Sequence, residues 1–398
     1  MTAKKRLLLA GGGYADIPMI RAANNLGYHV ITSGNRPDEM GHAHGNEYRA
    51  ADFSNLDEML ELARNLDIET VVPSCNDFSA ISCAYVAEQL GLPGHDPLET
   101  ALLIHHKDRF RAYAQNKGLP VPKARSAEDL CSAAQAAEEL AYPIIVKPVD
   151  LTGGKGVTRV QSPGELPSAL DKALQISRSG RVILEEFLSG SRHGFSAFLV
   201  NGRVCFHFSD NEHYYRNPYL VSAASTPSRL PAGAIKELCQ ISEWIAADLQ
   251  LVTGIFHIQL ILQEGRPQII EICRRPPGDL YVSLVQHATG IDYPEWIVRG
   301  FAGLSCDQVQ RAENRGTYIR HCVMPATNGV LRHVAFDQQV NSAILDQLMW
   351  WHSGDRVTDA LVQKFGIVLL RMANGEDGFA WAERLPGLIQ PVMDIKES

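Results

Sequence analysis

The sequence predicts an α/β unit at the N-terminus that passes into α+β structure, spread over two or three domains. Three observations carry this. Over the first ~95 residues, short apolar runs alternate with segments of helical spacing, the pattern of a parallel sheet covered on both faces. Further on, Asn201-Gly202 and Glu264-Gly265-Arg266-Pro267 each lie between apolar runs and signal hairpins. The length of 398 residues suits domains of roughly 150 residues each.

The elements follow in order. Arg6–Ala10 is a strand that ends in Gly11-Gly12-Gly13, and Ile17–Leu26 has helical spacing. Tyr28–Thr32 and Thr70–Pro73 are strands. Leu56, Met59, Leu60, Ala63 and Leu66 recur at helical intervals, and Ala80–Leu90 is a further helix. Gly91 to Pro97 closes this unit, placing a domain at 1–96. A helix over Pro97–Lys117 ends at Gly118-Leu119-Pro120-Val121-Pro122, where two prolines in three residues forbid helix. A helix near Ala127–Leu140 and a strand Pro143–Pro148 come next. The loop Asp150–Gly156, which contains Thr152, is followed by strands Val157–Val160 and Val182–Phe187 around a helix at Leu166–Ile176. The two hairpins pair Gly194–Val200 with Val204–His207 and Ile255–Leu262 with Gln268–Ile272, and Ala232–Leu249 is a long amphipathic helix. The last ~90 residues read as short strands and one helix near Gly375–Arg384.

Composition narrows the function. Lys plus Arg number 37 against 45 Asp plus Glu, a formal charge of −8. A mildly acidic chain with no basic run is a poor partner for nucleic acid or anionic membranes. The 8 cysteines are scattered singly, without the C-x-x-C spacing of a zinc or redox site, and suit a reducing compartment. The apolar stretch after Lys4-Lys5-Arg6 is too short for a secretory signal, and no run reaches a membrane span of ~18 residues. The expectation is a cytoplasmic protein without nucleic-acid or membrane partners. A nicotinamide site is disfavoured, because Gly11-Gly12-Gly13-Tyr14-Ala15-Asp16 is not G-x-G-x-x-G and Ser33-Gly34-Asn35-Arg36 offers no acid to a ribose.

Three constellations can carry chemistry. The first is Ile144-Ile145-Val146-Lys147-Pro148 followed by Thr152-Gly153-Gly154-Lys155-Gly156-Val157. A lysine ending an apolar strand can meet a phosphate, and successive glycines let backbone N–H groups close over it. The spacing is not that of a Walker loop. The second is Val182-Ile183-Leu184-Glu185-Glu186-Phe187-Leu188, where alternation puts the two acids on opposite faces. The third is the hairpin Ile255–Ile272. Folded about Gly265, it pairs Gln259 with Glu271 and His257 with Cys273, and Arg275 follows on the same face. A carboxylate, an amide oxygen and a guanidinium on one surface suit Mg²⁺ and an anionic reacting group.

Lys107 in His106-Lys107-Asp108-Arg109-Phe110, Lys147, the Gly153–Gly156 loop, Glu185-Glu186-Phe187-Leu188 and Glu271-x-x-x-Arg275 stand in the order and spacing of the ATP-grasp superfamily. The chain resembles its carboxylate–amine ligase branch, which includes L-amino-acid ligases and biotin-carboxylase-like enzymes. The resemblance implies a Rossmann-like N-terminal αβ domain (1–96), a two-lobed nucleotide clamp (97–305, with a flap at about 123–188) and a small C-terminal α+β domain (306–398). It further implies that ATP and Mg²⁺, or Mn²⁺, turn a small-molecule carboxylate into an acyl phosphate for an amine to attack. By position, Lys107 and Lys147 would hold phosphates, and Gly153, Gly154, Lys155 and Gly156 would close over them. Glu185, Glu186, Phe187 and Leu188 would hold the adenine, and Arg192 or His193 the ribose. Glu271 and Gln259 would hold the metal, while Arg275 and Lys155 would act on the transferring group. Relatives are often homodimers. The run His207 to Arg216 would lie near the acceptor substrate, and Arg274 with Arg275 would attract a carboxylate.

The chain also departs from the family. Gln259 stands where Glu is usual, Cys273 where Asn is usual, and Arg192 where Glu is common. Asp279 is a candidate replacement ligand. Arg274-Arg275-Pro276-Pro277 replaces the Asn-Pro-Arg pattern of many relatives. A nucleotide-binding regulatory protein with a degenerate metal site, and a biotin-carboxylase-like or purine-pathway ligase, are the alternative readings. His105-His106 is expected on a helix surface, and Trp350-Trp351 in a C-terminal core.

Overall fold

The computed structural model describes residues 4–151 and 153–394. Thr152 of the glycine loop lies outside the described residues.

The N-terminal unit is a parallel sheet of strands β1 (Arg6–Ala10), β2 (His29–Gly34), β3 (Glu47–Ala50) and β4 (Thr70–Pro73) in the order β3-β2-β1-β4. The central strand β1 is buried along nearly its whole length, as its unbroken apolar run requires. Strand β3 was not legible, because its sequence Glu-Tyr-Arg-Ala is that of a half-exposed edge. Helices α1 (Ile17–Asn25), α2 (Leu56–Leu66) and α3 (Asp77–Leu90) cover the sheet. Met59, Leu60, Ala63 and Leu66 form the buried stripe of α2. Helix α3 begins earlier than its apolar spacing suggests. The Asn76 side chain accepts from the Phe78 N–H and so caps it one residue before Asp77. The glycine turn is packed by the chain itself: a Cβ at Gly12 would lie 2.1 Å from the His42 ring. That turn is structural.

The expected helix over 97–117 is two helices, α4 (Leu98–His105) and α5 (Lys107–Asn116), separated by His106 in extended conformation. The break makes Lys107 the first residue of a helix. It also overturns the placement of the two histidines on a helix surface. His105 is buried and its Nδ1 lies 2.9 Å from Asp77 Oδ1.

Next comes a four-stranded flap of β5 (Ala124–Ala127), β6 (Ile144–Pro148), β7 (Thr158–Val160) and β8 (Val182–Glu186), ordered β5-β8-β6-β7. Helices α6 (Leu130–Glu138) and α7 (Leu166–Leu174) bury an alanine- and leucine-rich core against it.

The largest sheet contains β9 (Ser191–Val200), β10 (Arg203–His213), β11 (Ala223–Thr226), β12 (Gly254–Gln263) and β13 (Arg266–Cys273). Strands β14 (Tyr318–Val323), β16 (Ile344–Met349) and β18 (Gly366–Arg371) extend it, in the order β13-β12-β9-β10-β11-β14-β18-β16. Strand β10 runs six residues past the expected end at His207, so Ser209 to His213 is sheet rather than loop. A small sheet of β15 (Gly329–Phe336), β17 (Arg356–Val357) and β19 (Ile389–Asp394) lies beside this extension. Leu7, Leu9 and Met19 of the N-terminal unit share one core with Phe198, Phe206, Ile255 and Trp296 of the large sheet and its helix. Each such burial contributes roughly 1.5–3 kcal/mol. Helix α8 (Ala232–Asp248) packs a separate core on the same large sheet, together with Phe195 and Phe256. Trp351 packs on Phe365 near the C-terminus, but Trp350 stacks on Tyr14 of the N-terminal unit, with ring centroids 4.1 Å apart. No helix among the described residues is long and apolar enough to cross a membrane.

Candidate active site

A cleft of about 400 Å³ lies between the flap and the large sheet. Lys107, Lys147, Gly153, Gly154 and Lys155 line it from the flap side. Glu185, Glu186, Phe187 and Leu188 form one end, and Gln259, Glu271 and Arg275 lie on the sheet side. The residues that the motifs singled out are thus brought together from α5, the flap and the β12–β13 hairpin. Gly156 and His193 are not among the lining residues. Gly156, at φ +69°, packs against Ile176 and Pro148 and serves the turn. His193 is a correction: it is buried, and its ring meets Ser191 Oγ at 2.8 Å and the Asp210 carbonyl at 3.1 Å. Alternation along β9 turns it away and turns Arg192 into the cleft, where the guanidinium lies over the Tyr214 ring.

On the flap side of the cleft, Lys147 is held by a buried network. Lys147 Nζ lies 2.6 Å from Glu185 Oε2. Arg111, fully buried on α5, reaches Glu185 Oε1 through Nε (2.8 Å) and Nη2 (2.6 Å), and donates to the carbonyls of Ile269 and Ile270 on β13. Burial opposes ionisation of Glu185, but the Arg111 guanidinium and then the Lys147 ammonium outweigh it and hold the carboxyl at about 2. Burial lowers Lys147, with the Glu185 charge acting against it. Glu185 is therefore committed to two cations. Arg111 escaped the motif reading, although its i,i+4 spacing from Lys107 on one helix face could have revealed it. Lys107 Nζ donates to the Leu151 carbonyl at 2.8 Å and lies 3.5 Å from Glu271 Oε2.

The hairpin pairs His257 with Cys273 and Gln259 with Glu271. The turn itself is centred between Glu264 and Gly265, both at positive φ, and a bulge beyond Gln259 restores the pairing. Burial pushes the Cys273 thiol up to about 11, so it stays protonated. Arg275 Nε donates to Asp77 Oδ1 at 2.8 Å, across from the N-terminal unit. Burial disfavours both charges, but the mutual attraction drives Asp77 far down and Arg275 far up. Arg274 does not join it. Its guanidinium is bound to Asp96 (2.8 Å) and to the carbonyls of Ile255 and Val252, so it is structural. Asp279 is also committed, to Tyr14, Lys364 and Arg320.

The extension of β10 turns part of the polar run His207 to Arg216 into sheet and so fixes which of its side chains face the cleft. Asp210 and Glu212 point from the sheet into the cleft. Among the described residues neither forms an ion pair. Asp210 accepts from the Tyr281 hydroxyl at 2.8 Å, and Glu212 from the Tyr214 hydroxyl and the Gln259 amide. Burial raises Asp210 to about 6. Burial, then the Asp210 charge, raises Glu212 to about 7. Arg320 and Lys364 face the same end of the cleft.

Gln259 and Glu271 supply hard oxygen donors on adjacent strands, which fit Mg²⁺ when phosphates complete the shell. Among the described residues no group of three or more His, Cys, Asp or Glu is arranged to hold a metal alone. The chemistry of the donors therefore suits a metal that arrives with a nucleotide.

Residues 106–303 match the family model for the ATP-binding domain of the carbamoyl-phosphate synthase L chain. The chain is similar to the carbamoyl phosphate synthase large chain of Ralstonia nicotianae, at 24% identity over 332 residues. That match covers 77% of this chain but 30% of the relative's length. Among solved structures, an L-amino acid ligase from Bacillus licheniformis superposes with a TM-score of 0.83 at 18% identity, covering 99% of this chain and 100% of that one. Phosphoribosylglycinamide synthetase from Anaerococcus prevotii gives a TM-score of 0.77 at 19% identity, covering 98% and 100%. The biotin carboxylase domain of Hydrogenobacter thermophilus 2-oxoglutarate carboxylase gives 0.78 at 17%, covering 99% and 92%. The matched region 106–303 belongs to the ATP-grasp superfamily, and the chain as a whole shares the fold of these solved structures.

Proposed function

We propose that this chain is an ATP- and Mg²⁺-dependent ligase that joins a small-molecule carboxylate to an amine and releases ADP and phosphate. The observation that carries the reading is the convergence of Lys107, Lys147 and Arg275 on one cleft beneath a glycine loop, opposite Gln259 and Glu271. Lys107 and Lys147 neutralise the phosphates, Gly153, Gly154 and Lys155 close over them, and the Glu186–Leu188 end receives the base. Gln259 and Glu271 hold Mg²⁺, or Mn²⁺ with the same oxygen donors, and the metal supplies charge neutralisation on the phosphates.

The substrate carboxylate oxygen attacks the γ-phosphorus and the bond to the β-bridging oxygen breaks, leaving ADP and an acyl phosphate. Arg275 steadies the charge on the migrating group, with its guanidinium held still by Asp77. The amine then attacks the acyl carbon, and the C–O bond to phosphate breaks. Asp210 takes the proton that the amine loses, while Arg320 and Lys364 hold the anionic part of the substrates. In this reading residues 1–96, 97–305 and 306–398 act as flanking unit, nucleotide clamp and substrate-side cap, and two copies associate as a homodimer.

The test is ADP release across a panel of carboxylic acids and amines, where ADP should appear only when both partners are present. Lys147→Ala and Arg275→Ala should each lower turnover by at least about 100-fold. Full turnover in either variant would overturn the assignment of roles. Gln259 and Cys273 favour one rival reading, a regulatory nucleotide binder. It is supported if calorimetry finds ATP bound while no acid–amine pair yields ADP.

A further inference from the structure

Gln259 brings an amide to a position where a metal needs oxygen, and an amide has one useful end and one harmful end. Its carbonyl oxygen is a hard donor, whereas its NH₂ group has no lone pair to offer. What decides which end faces the metal is the surroundings of the amide.

Those surroundings are unusually one-sided. Gln259 Nε2 lies 3.0 and 2.9 Å from the two oxygens of Glu212, and 3.2 Å from the Tyr214 hydroxyl. The Tyr214 hydroxyl spends its proton on Glu212 Oε2, so toward Gln259 its oxygen can only accept. Above about pH 7, where Glu212 is ionised, its carboxylate also only accepts. All three oxygens therefore call for the nitrogen, and a flipped amide would set its carbonyl oxygen against them. The orientation of the amide follows from this donor and acceptor chemistry. With the nitrogen committed to β10, the carbonyl oxygen is left for the opposite side. Glu271, the cross-strand partner of Gln259, stands on the neighbouring strand β13.

We infer that Glu212 is a positioning residue that locks the Gln259 amide with its carbonyl oxygen toward the metal, so that β10 carries the carboxylate that β12 lacks. The inference rests on the proposal that Gln259 and Glu271 hold the metal. Glu212 acts through Gln259 and does not itself need to touch the ion. Ligand-orienting groups of this kind typically change metal affinity by roughly 10–100-fold when removed.

The test is a double-mutant cycle read by electron paramagnetic resonance, using Mn²⁺ titrated into the ADP-saturated protein. Glu212→Gln should weaken Mn²⁺ by roughly 10–100-fold, because an amide at 212 no longer dictates which way Gln259 turns. In a Gln259→Ala background the same change should have no further effect. The exchange variant, Gln259→Glu with Glu212→Gln, should recover wild-type affinity, and an unchanged thermal midpoint of Glu212→Gln shows that the single variant is folded. Unchanged Mn²⁺ affinity in Glu212→Gln overturns the inference. An equal loss with and without Gln259 overturns it too, because Glu212 would then act on the metal directly. If Gln259→Ala itself binds Mn²⁺ as the wild type does, the metal assignment fails and this inference fails with it.

Discussion

Asp210 has lost its water without gaining a cation. Burial raises its carboxyl from 3.8 to about 6, and the Tyr281 hydroxyl and the Arg320 charge, which makes no ion pair with it, only partly offset this. The folded chain therefore holds the proton across a range where the unfolded chain has released it. Stability falls as pH rises from about 4 to about 6, and the deficit persists above that window. Asp210→Asn keeps an acceptor for Tyr281 and removes the titration. Urea unfolding should find the variant gaining on the wild type over this window, by at most about 3 kcal/mol, with no gap below pH ~4. A constant difference at all pH values would contradict the burial argument. Glu185 illustrates the opposite outcome. It is just as buried, but Arg111 and Lys147 surround it, so it is ionised and serves the site by holding Lys147 in place.

At the scale of elements, the glycine loop and the segment after β10 close the cleft from two sides. Gly154 sits at φ +71°, and a Cβ there would lie 2.6 Å from the Tyr219 carbonyl oxygen. A side chain would be strained in that left-handed conformation and would push the loop off the Tyr219 segment. Gly154→Ala should raise KM for ATP by about tenfold or more while the thermal midpoint shifts little, because the loop lies outside the flap core. Steady-state kinetics alongside thermal unfolding checks both halves. Several of these elements were legible from periodicity alone. Helix α2 and strands β1, β6 and β8 are marked by their apolar spacing, and the Asn201-Gly202 turn marks the hairpin. Strand β3, the break at His106 and the length of β10 were not. Each depends on neighbours: β3 on pairing with β2, His106 on the passage between two helices, and the polar end of β10 on its pairing with β9 and β11.

For the molecule as a whole, two ion pairs and a hydrogen bond tie the N-terminal unit to the segment after β13 that borders the cleft. Asp77 at the start of α3 grips Arg275, Asp96 grips Arg274, and Tyr14 joins Asp279. The N-terminal unit thus sets the position of the Arg275 guanidinium in the cleft. Asp77→Ala would leave Arg275 buried beside His105 without a counter-ion. It should cost about 3–5 kcal/mol in denaturant unfolding, and turnover should fall even where the protein remains folded. A loss of turnover with full stability would instead mean that the pair is solvated in solution.

The order of lysines, glycines and acids along the chain marked the phosphate-binding chemistry proposed for it, because phosphate binding needs particular residue types at particular strand ends and turns. Hairpin spacing alone also brought Gln259 opposite Glu271. Only the tertiary structure decided which charges are free to act. Arg274 and Arg275 are adjacent in sequence, yet one is bound by Asp96 outside the cleft and the other faces it. Asp77 and Arg320 come from distant elements and no local pattern marks them, whereas Arg111 shares a helix face with Lys107, and Asp210 and Glu212 lie in the polar run His207 to Arg216, so their neighbourhoods show in the sequence but their partners do not. Their charges are set by burial and by partners more than 60 residues away in several cases, such as Glu185 for Arg111 and Arg275 for Asp77. Such long-range pairing has no local period, so it becomes visible only when the chain is packed.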